Sequence, residues 1–220
     1  VPASGDIVVF GEVLFDRYED GSRVLGGAPF NVAWHLCGFG RAPLVVSAVG
    51  DDPDGQEVLD RMEGWGLATH GVQTDGRHPT GRVEVTTENG SPSYAIVPDQ
   101  AWDHLDPAAA ARVIPAGGVA LVYHGSLALR SEETRQALER VLETADAPVF
   151  VDVNLRDPWW TEERVSRALD RAHYAKLNDE EVWALVERGD AGEDGPRHPG
   201  GGGGDGPAET AGDDPEAAGS

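Results

Sequence analysis

Cysteine is nearly absent from this sequence. Cys37 is the only one in 220 residues, so no disulfide can close within the chain, and a reducing, cytoplasmic setting is expected. Basic side chains are also scarce. Seventeen Lys and Arg, with Lys176 the single lysine, stand against thirty-nine Asp and Glu, for a formal net charge of -22. Nucleic acids and anionic membrane surfaces are bound through clustered Lys and Arg. Both are therefore excluded as principal partners, and a small molecule or another protein is expected. No apolar run approaches the ~20 residues that a membrane-spanning helix needs. No basic flank precedes the apolar Ile7–Phe10 stretch, so no signal peptide is expected. From Gly189 onward the apolar side chains stop. The last 32 residues hold eleven Gly and four Pro, carry a charge of -7, and contain no Val, Ile, Leu, Met, Phe, Trp, Tyr or Cys. Such a segment cannot bury enough apolar surface to offset its ordering entropy, so 189–220 is expected to be a disordered tail. His198 has no companion ligands there for a metal.

What is present in 1–188 is a repeating order of short apolar runs and amphipathic segments. IVVF (7–10) and LVVSAVG (44–50) predict buried strands. Pro29 to Phe39 predicts a helix, with proline early and Gly38 and Gly40 at its end. Asp54 to Trp65 predicts another. GRVEVTTENGSPSYAIV (81–97) alternates on both sides of Asn89-Gly90, which predicts a hairpin with one wet face. The strand–helix order then resumes. A helix starts at Asp106-Pro107, VALVYHG (119–125) is a strand, and Ser131–Ala145 a helix. PVFVDVN (148–154) is a strand, Thr161–Ala172 a helix, and HYAKLN (173–178) a short strand before a helix to about Glu187. Apolar strands separated by helices predict an α/β fold with a mainly parallel sheet covered on both faces. Ligands in such folds bind beyond the carboxyl ends of the strands. Glu12, Asp16, Asn154, Arg156 and Asn178 all follow strands.

The stretch GGAPFNVAWHLCGFG, starting at Gly26, invites a phosphate-cradle reading. No Lys-Ser or Lys-Thr follows its glycines, and it lacks G-x-G-x-x-G, so neither nucleotide fingerprint applies. It offers close backbone approach at Gly26-Gly27 and a carboxamide, Asn31, in the first helical turn. A carboxamide both donates and accepts, as a hydroxyl ligand requires, although Asn31 at this position also suits a helix cap. Asp16 could accept from two neighbouring hydroxyls, or be a solvated loop acid. DVNLRDPWW (152–160) places Asp152, Asn154 and Arg156 at alternate positions, hence on one side of an extended chain. Arg156 could meet phosphate with a forked pair of hydrogen bonds or form a surface ion pair. Trp159 and Trp160 read as packing residues. Asn178-x-x-Glu181 has the spacing of a helix capping box and, alternatively, offers a carboxamide and carboxylate for water on Mg²⁺ and for phosphate.

Taken in order, FGEVLFD (10–16), GGAPFNVAWHLCGFG, VSAVGDDPDG (46–55), PTGRVEV (79–85), HGSLAL (124–129), VDVNLRDPWW (151–160) and KLNDEEV (176–182) resemble the ribokinase-like (PfkB-type) carbohydrate kinases, bacterial fructokinases in particular. The resemblance covers residues 7–188. It implies a three-layer α/β/α sandwich with a small β-lid drawn from 12–25 and 81–97. It implies phosphorylation of a sugar hydroxyl by ATP with Mg²⁺, and a possible homodimer through the lid. Asp16, Gly27, Asn31, Asn154 and Arg156 match the family's substrate-binding positions. Asn178 and Glu181 match its N-x-x-E motif on the nucleotide side, with Glu181 reaching Mg²⁺ through water. The family's second glycine turn, G-A-G-D, supplies an anion hole at a helix N-terminus and an Asp general base. It is not found in this chain; Ala211-Gly212-Asp213 is a superficial likeness without a strand before it. Little or no kinase activity is therefore expected of these residues alone. The tail's composition suits GC-rich DNA read out of frame, or a truncated product. The alternatives are a non-catalytic sugar-binding remnant and a kinase of another alcohol such as a nucleoside.

Overall fold

The computed structural model describes residues 7–88, 91–116 and 118–189; the tail call and the Asn89-Gly90 turn fall outside them. Among the described residues, besides two short 3-10 turns at Ala101–Asp103 and Leu127–Arg130, ten strands and six α-helices follow in chain order. They are β1 (Ile7–Phe10), β2 (Leu14–Tyr18), β3 (Arg23–Gly26), α1 (Ala28–Gly38), β4 (Leu44–Gly50), α2 (Pro53–Trp65), β5 (Val72–Asp75), β6 (Gly81–Glu88), β7 (Ser91–Ile96), α3 (Pro107–Arg112), β8 (Leu121–Gly125), α4 (Glu132–Ala145), β9 (Val149–Asp152), α5 (Glu162–Asp170), β10 (Tyr174–Lys176) and α6 (Asp179–Gly189).

Six strands form one sheet in the order β10-β9-β8-β1-β4-β5, and every neighbouring pair in it is parallel. Side-chain alternation along its central strands builds the layers. Val8 and Phe10 of β1, with Leu44, Val46 and Ala48 of β4, enter one core with residues of α3 and α4. Val9, Val45 and Val49 enter the opposite core with Phe30 and Ala33 of α1 and Val58 and Met62 of α2. Successive residues of a strand face opposite sides, so a strand apolar throughout needs cover on both. β4, with all seven residues buried, is the clearest case. A third cluster joins Val149, Val151 and Val153 to Val165 of α5. The result is the helix–sheet–helix layering that the strand pattern predicts.

The chain builds outward from β1 to β4 and β5, then returns to lay β8, β9 and β10 on its other side. The crevice between the carboxyl ends of β1 and β8 is thus a switch point, where open α/β sheets take ligands. Over this end lies a second sheet in the order β3-β2-β6-β7. Its outer pairs are antiparallel and its central pair, β2 and β6, is parallel. Ion pairs tie it to the main body: Arg17 and Arg23 both bond Asp54 in the first turn of α2, and Arg23 also bonds Glu57.

Helix ends follow the sequence signals. Asp52, Asp106, Ser131 and Thr161 accept N–H bonds from the first turns of α2, α3, α4 and α5, each such cap being worth roughly 1 kcal/mol. Several expected strands are shorter than their apolar runs. β8 begins at Leu121, two residues into VALVYHG, and β9 stops at Asp152.

Candidate functional site

A cavity of about 550 Å³ opens between the two sheets, within the range of small-molecule sites. Glu12 enters it from the end of β1, Leu14 and Asp16 from β2, and Ala28 and Asn31 from α1. Val83, Tyr94 and Ile96 roof it, and Leu127, Asn154, Arg156 and Asp157 close the far wall. Asp16, Gly27, Asn31, Asn154 and Arg156, singled out separately along 140 residues of sequence, line this one space.

Each is delivered by local structure. In β2, Leu14 and Asp16 face the cavity while Phe15 between them is fully buried in the core beneath. Gly27 precedes α1 with φ 105°, a left-handed-side conformation that L side chains rarely adopt. A Cβ there would lie 2.5 Å from the Glu12 carbonyl oxygen, so glycine is required on two counts. No side chain caps α1, which removes the capping reading of Asn31. Its carboxamide and the Asp16 carboxylate both approach Gly26, whose Cβ, if built, would sit 3.3 Å from Asp16 Oδ2 and 3.9 Å from Asn31 Nδ2.

The segment after β9 is held by two braces. The Ser126 hydroxyl donates to the Asn154 carbonyl and accepts the Asn154 N–H, each at 3.0 Å. Glu181 Oε1 accepts the Leu155 N–H at 3.3 Å. Asn154 and Arg156 therefore project from a fixed backbone. Asp152 does not join them. β9 ends there, and its carboxylate is held by the Tyr123 hydroxyl at 2.8 Å and Lys176 Nζ at 2.6 Å. Val149, Val151, Val153 and Leu155 enter the third cluster at alternate positions. The alternation thus continues past the end of β9 with Asp152, Asn154 and Arg156 on the other side, and Asp152 differs in having its carboxylate engaged by Tyr123 and Lys176.

The side chains of Asp16, Asn31, Asn154 and Arg156 make no hydrogen bond or ion pair with any described residue. Glu12, which the sequence marks only by its place after β1, is the site residue that the motif reading passed over. It is 3% exposed. The backbone N–H groups of Glu12 and Ala28 bond its carboxyl, while Oε2 is buried without a partner. Burial pushes the Glu12 carboxyl up to about 7, against the lowering effect of those N–H groups and of the Arg130 charge. Burial also raises Asp16 above its ordinary value.

Asn178 and Glu181 stand apart from this cavity. Asn178 Oδ1 accepts the Glu181 N–H at 2.8 Å, and Glu181 Oε2 accepts the Asn178 N–H at 2.9 Å. This reciprocal pair is a capping box at the start of α6. Both carboxylate oxygens of Glu181 are thus engaged by backbone N–H groups. Around them the described residues form no group of three ligand atoms for a metal. A Mg²⁺ ion would find no protein cage here, and ions of this kind are commonly carried on substrate phosphates with water filling the remaining positions.

The pfkB family carbohydrate kinase model matches residues 5–195. An uncharacterized sugar kinase of Pyrococcus horikoshii is 28% identical over 213 residues, covering 84% of this chain and 65% of that protein. Fructokinase-2 of Oryza sativa subsp. japonica is 28% identical over 205 residues, covering 84% of this chain and 61% of that protein. The crystal structure of the Pyrococcus horikoshii kinase in complex with ATP aligns with a TM-score of 0.72 at 28% identity, over 83% of this chain and 66% of that one. The chain thus spans less than two thirds of the length of these curated relatives. The family match runs unbroken through both sheets and every element that lines the cavity, and on that ground the chain belongs to the pfkB family of carbohydrate kinases.

Proposed function

We propose that residues 7–189 form the acceptor-binding part of an ATP-dependent sugar kinase, with fructose or a similar ketose or keto-sugar acid as the acceptor. The observation that carries this reading is the set of polar side chains without protein partners that converge on the cavity. Asp16 and Asn154 are half-buried and Asn31 and Arg156 exposed, so water reaches them in the open cavity and a ligand rich in hydroxyls can replace that water bond for bond. Asp16 accepts from two hydroxyls, and Asn31 both donates and accepts beside it. Arg156 at the mouth supplies a fixed positive charge for the phosphate being transferred. The four-stranded sheet, closing on the sugar, would exclude water from the reacting hydroxyl. Transfer from ATP would run in line, with bound Mg²⁺ neutralising phosphate charge. A cytoplasmic setting and a dimer through the small sheet belong to the same reading, and both rest on the family resemblance.

Calorimetric titration with fructose, other sugars and a nucleoside tests the acceptor. Binding of a ketose that Asp16→Ala weakens by about 10- to 100-fold, the 1–3 kcal/mol of an unpaired hydroxyl, supports the assignment. Equal affinity in the variant removes Asp16 from the site, and tighter binding of a nucleoside changes the acceptor class. A second reading, a sugar-binding protein without turnover, is favoured by one fact: no G-A-G-D occurs in the 220 residues. Loss of a general base alone lowers a rate about 10²–10⁴-fold, and loss of the anion hole lowers it further. Sugar binding without ATP binding in the same titrations would select that reading.

A further inference from the structure

We propose a second site, a divalent transition-metal centre built by His78, Asp99 and His104, none of which lines the sugar cavity. One ligand atom from each of the three lies within 4.8 Å of the others. The two imidazole rings stack with centroids 3.6 Å apart and planes 10° from parallel. Both turn Nε2 toward the same acceptor, Asp99 Oδ1, which lies 2.8 Å from His104 and 3.7 Å from His78.

The other nitrogens carry the argument. His78 Nδ1 is 2.7 Å from Asp75 Oδ2, and His104 Nδ1 is 2.8 Å from Glu133 Oε2. Each ring therefore has a carboxylate behind it, which fixes its orientation and leaves Nε2 facing the shared point. Metal-bound histidines almost always have this support, because the outer carboxylate makes the ligating nitrogen more basic. Three carboxylates surround two imidazoles, with Arg77 Nε 3.9 Å from Asp75 Oδ1, so the cluster carries surplus negative charge while the rings are neutral.

Two nitrogens and one carboxylate oxygen select Zn²⁺ or a neighbouring first-row ion over Mg²⁺ and Ca²⁺, which prefer all-oxygen shells. Tetrahedral bonds of about 2.0–2.1 Å place donors about 3.3–3.4 Å apart. The present 2.8 and 3.7 Å separations need only about half an ångström of adjustment each, with the rings splaying from parallel. The Asp99 carboxylate is 74% exposed and free to make it. A shallow cleft lined by Pro98, Asp99 and His104 gives the ion a way in and leaves the fourth position to water.

The three ligands come from different places: the segment after β5, the return from β7, and the turn leading to α3. A bound ion would pin the root of the small sheet to the edge of the main one. It binds the folded chain and not the scattered ligands, so it stabilises by mass action.

The test is titration of the full chain, stripped by chelator, with Zn²⁺ followed by calorimetry and with Co²⁺ followed by visible absorption. One ion per chain is expected, with a rise in the thermal midpoint. His78→Gln, His104→Gln and Asp99→Asn should each weaken binding at least ~10-fold, and Glu133→Gln, which touches no metal, should weaken it by a similar or smaller factor. Absence of stoichiometric binding overturns the proposal. So does binding that persists in the His78→Gln/His104→Gln double variant, since five other histidines remain in the chain. The Asp99→Asn variant keeps the test valid if ring substitutions unfold the protein, because its side chain is largely in solvent.

Discussion

Glu12 gives the sharpest test of the site's physics. Its carboxyl lies at the end of β1, fully enclosed, with one oxygen bonded by backbone N–H groups and the other bonded by nothing. Below pH 4.5 it is protonated in both the folded and the unfolded chain and adds no pH dependence. Between 4.5 and about 7 the unfolded chain gives up the proton while the folded chain keeps it, so stability falls as pH rises. Above about 7 both states are ionised and the whole penalty stands. Raising a carboxyl from 4.5 to about 7 corresponds to about 3 kcal/mol, a large share of the 5–15 kcal/mol typical of a domain. Urea unfolding of the wild type and Glu12→Gln at pH 5, 6, 7 and 8 measures it. The amide carries its own burial cost, so the comparison is of slopes, not of absolute values. The wild type should lose about 2–3 kcal/mol relative to the variant between pH 5 and 8, a part of the penalty being already present at pH 5. Profiles that stay parallel would show that Glu12 ionises freely in the fold, and the description of its enclosure would be wrong.

Two further substitutions probe the frame around the cavity. Gly27→Ala forces a Cβ against the Glu12 carbonyl at a left-handed φ, and should destabilise by about 1–3 kcal/mol, read as a lower urea midpoint at unchanged slope. Arg130→Ala removes the partner of Asp103 in an ion pair whose side chains are only 5% and 6% exposed. It also removes the guanidinium packed between the Trp102 and Trp159 rings. Leaving Asp103 charged and unpaired should cost about 3–5 kcal/mol, and a loss under 1 kcal/mol would contradict the enclosure of that pair.

The fold was legible because its signals are local. A strand apolar on both faces, a proline or Ser/Thr/Asp at a helix start and a polar gap between them each sit within a few residues. β2 and β3 were less visible. LFDRY and RVLG alternate too briefly to stand out, and only their pairing with each other and with β6 makes them strands. The candidate substrate residues Asp16, Gly27, Asn31, Asn154 and Arg156 are named through motif order, not through chemistry, since each has a bland local alternative. The structure adds geometry to those alternatives: no side chain caps α1, where Asn31 sits in the first turn, and Asn178 and Glu181 form a capping box. Asp52 shows what stays hidden in the sequence. Its place before Pro53 suits a helix cap, but nothing in VSAVGDDPDG links it to Thr80. In the fold it accepts from Gly55 N, Thr80 N and Thr80 Oγ1, while Thr80 Oγ1 accepts from Gly50 N. That network locks the start of α2 to the strand that roofs the cavity, across a separation of 28 residues. The His78–Asp99–His104 cluster is illegible for the same reason, since nothing in the spacing of three separate loops announces that they meet.

The order of these parts along the chain separates two functions that the family joins. The polar side chains of the acceptor cavity come from the end of β1, from β2 and α1, and from the segment after β9. The last residue needed to hold them in place is Glu181, through its bond to Leu155 N. Every group that would touch the sugar is thus positioned by residues 7–181. On the proposed reading, acceptor affinity rests on these elements alone, within a chain that covers 61–65% of the length of its relatives. Substitutions at Glu181 should accordingly act on sugar affinity through the Asn154–Arg156 backbone, even though this residue was singled out for the nucleotide side. A variant such as Glu181→Gln retains an acceptor oxygen for Leu155 N but loses the charge. It should bind fructose less tightly by a small factor, while Glu181→Ala frees the segment and weakens binding further. Equal affinity in all three proteins would mean that the brace does not shape the cavity.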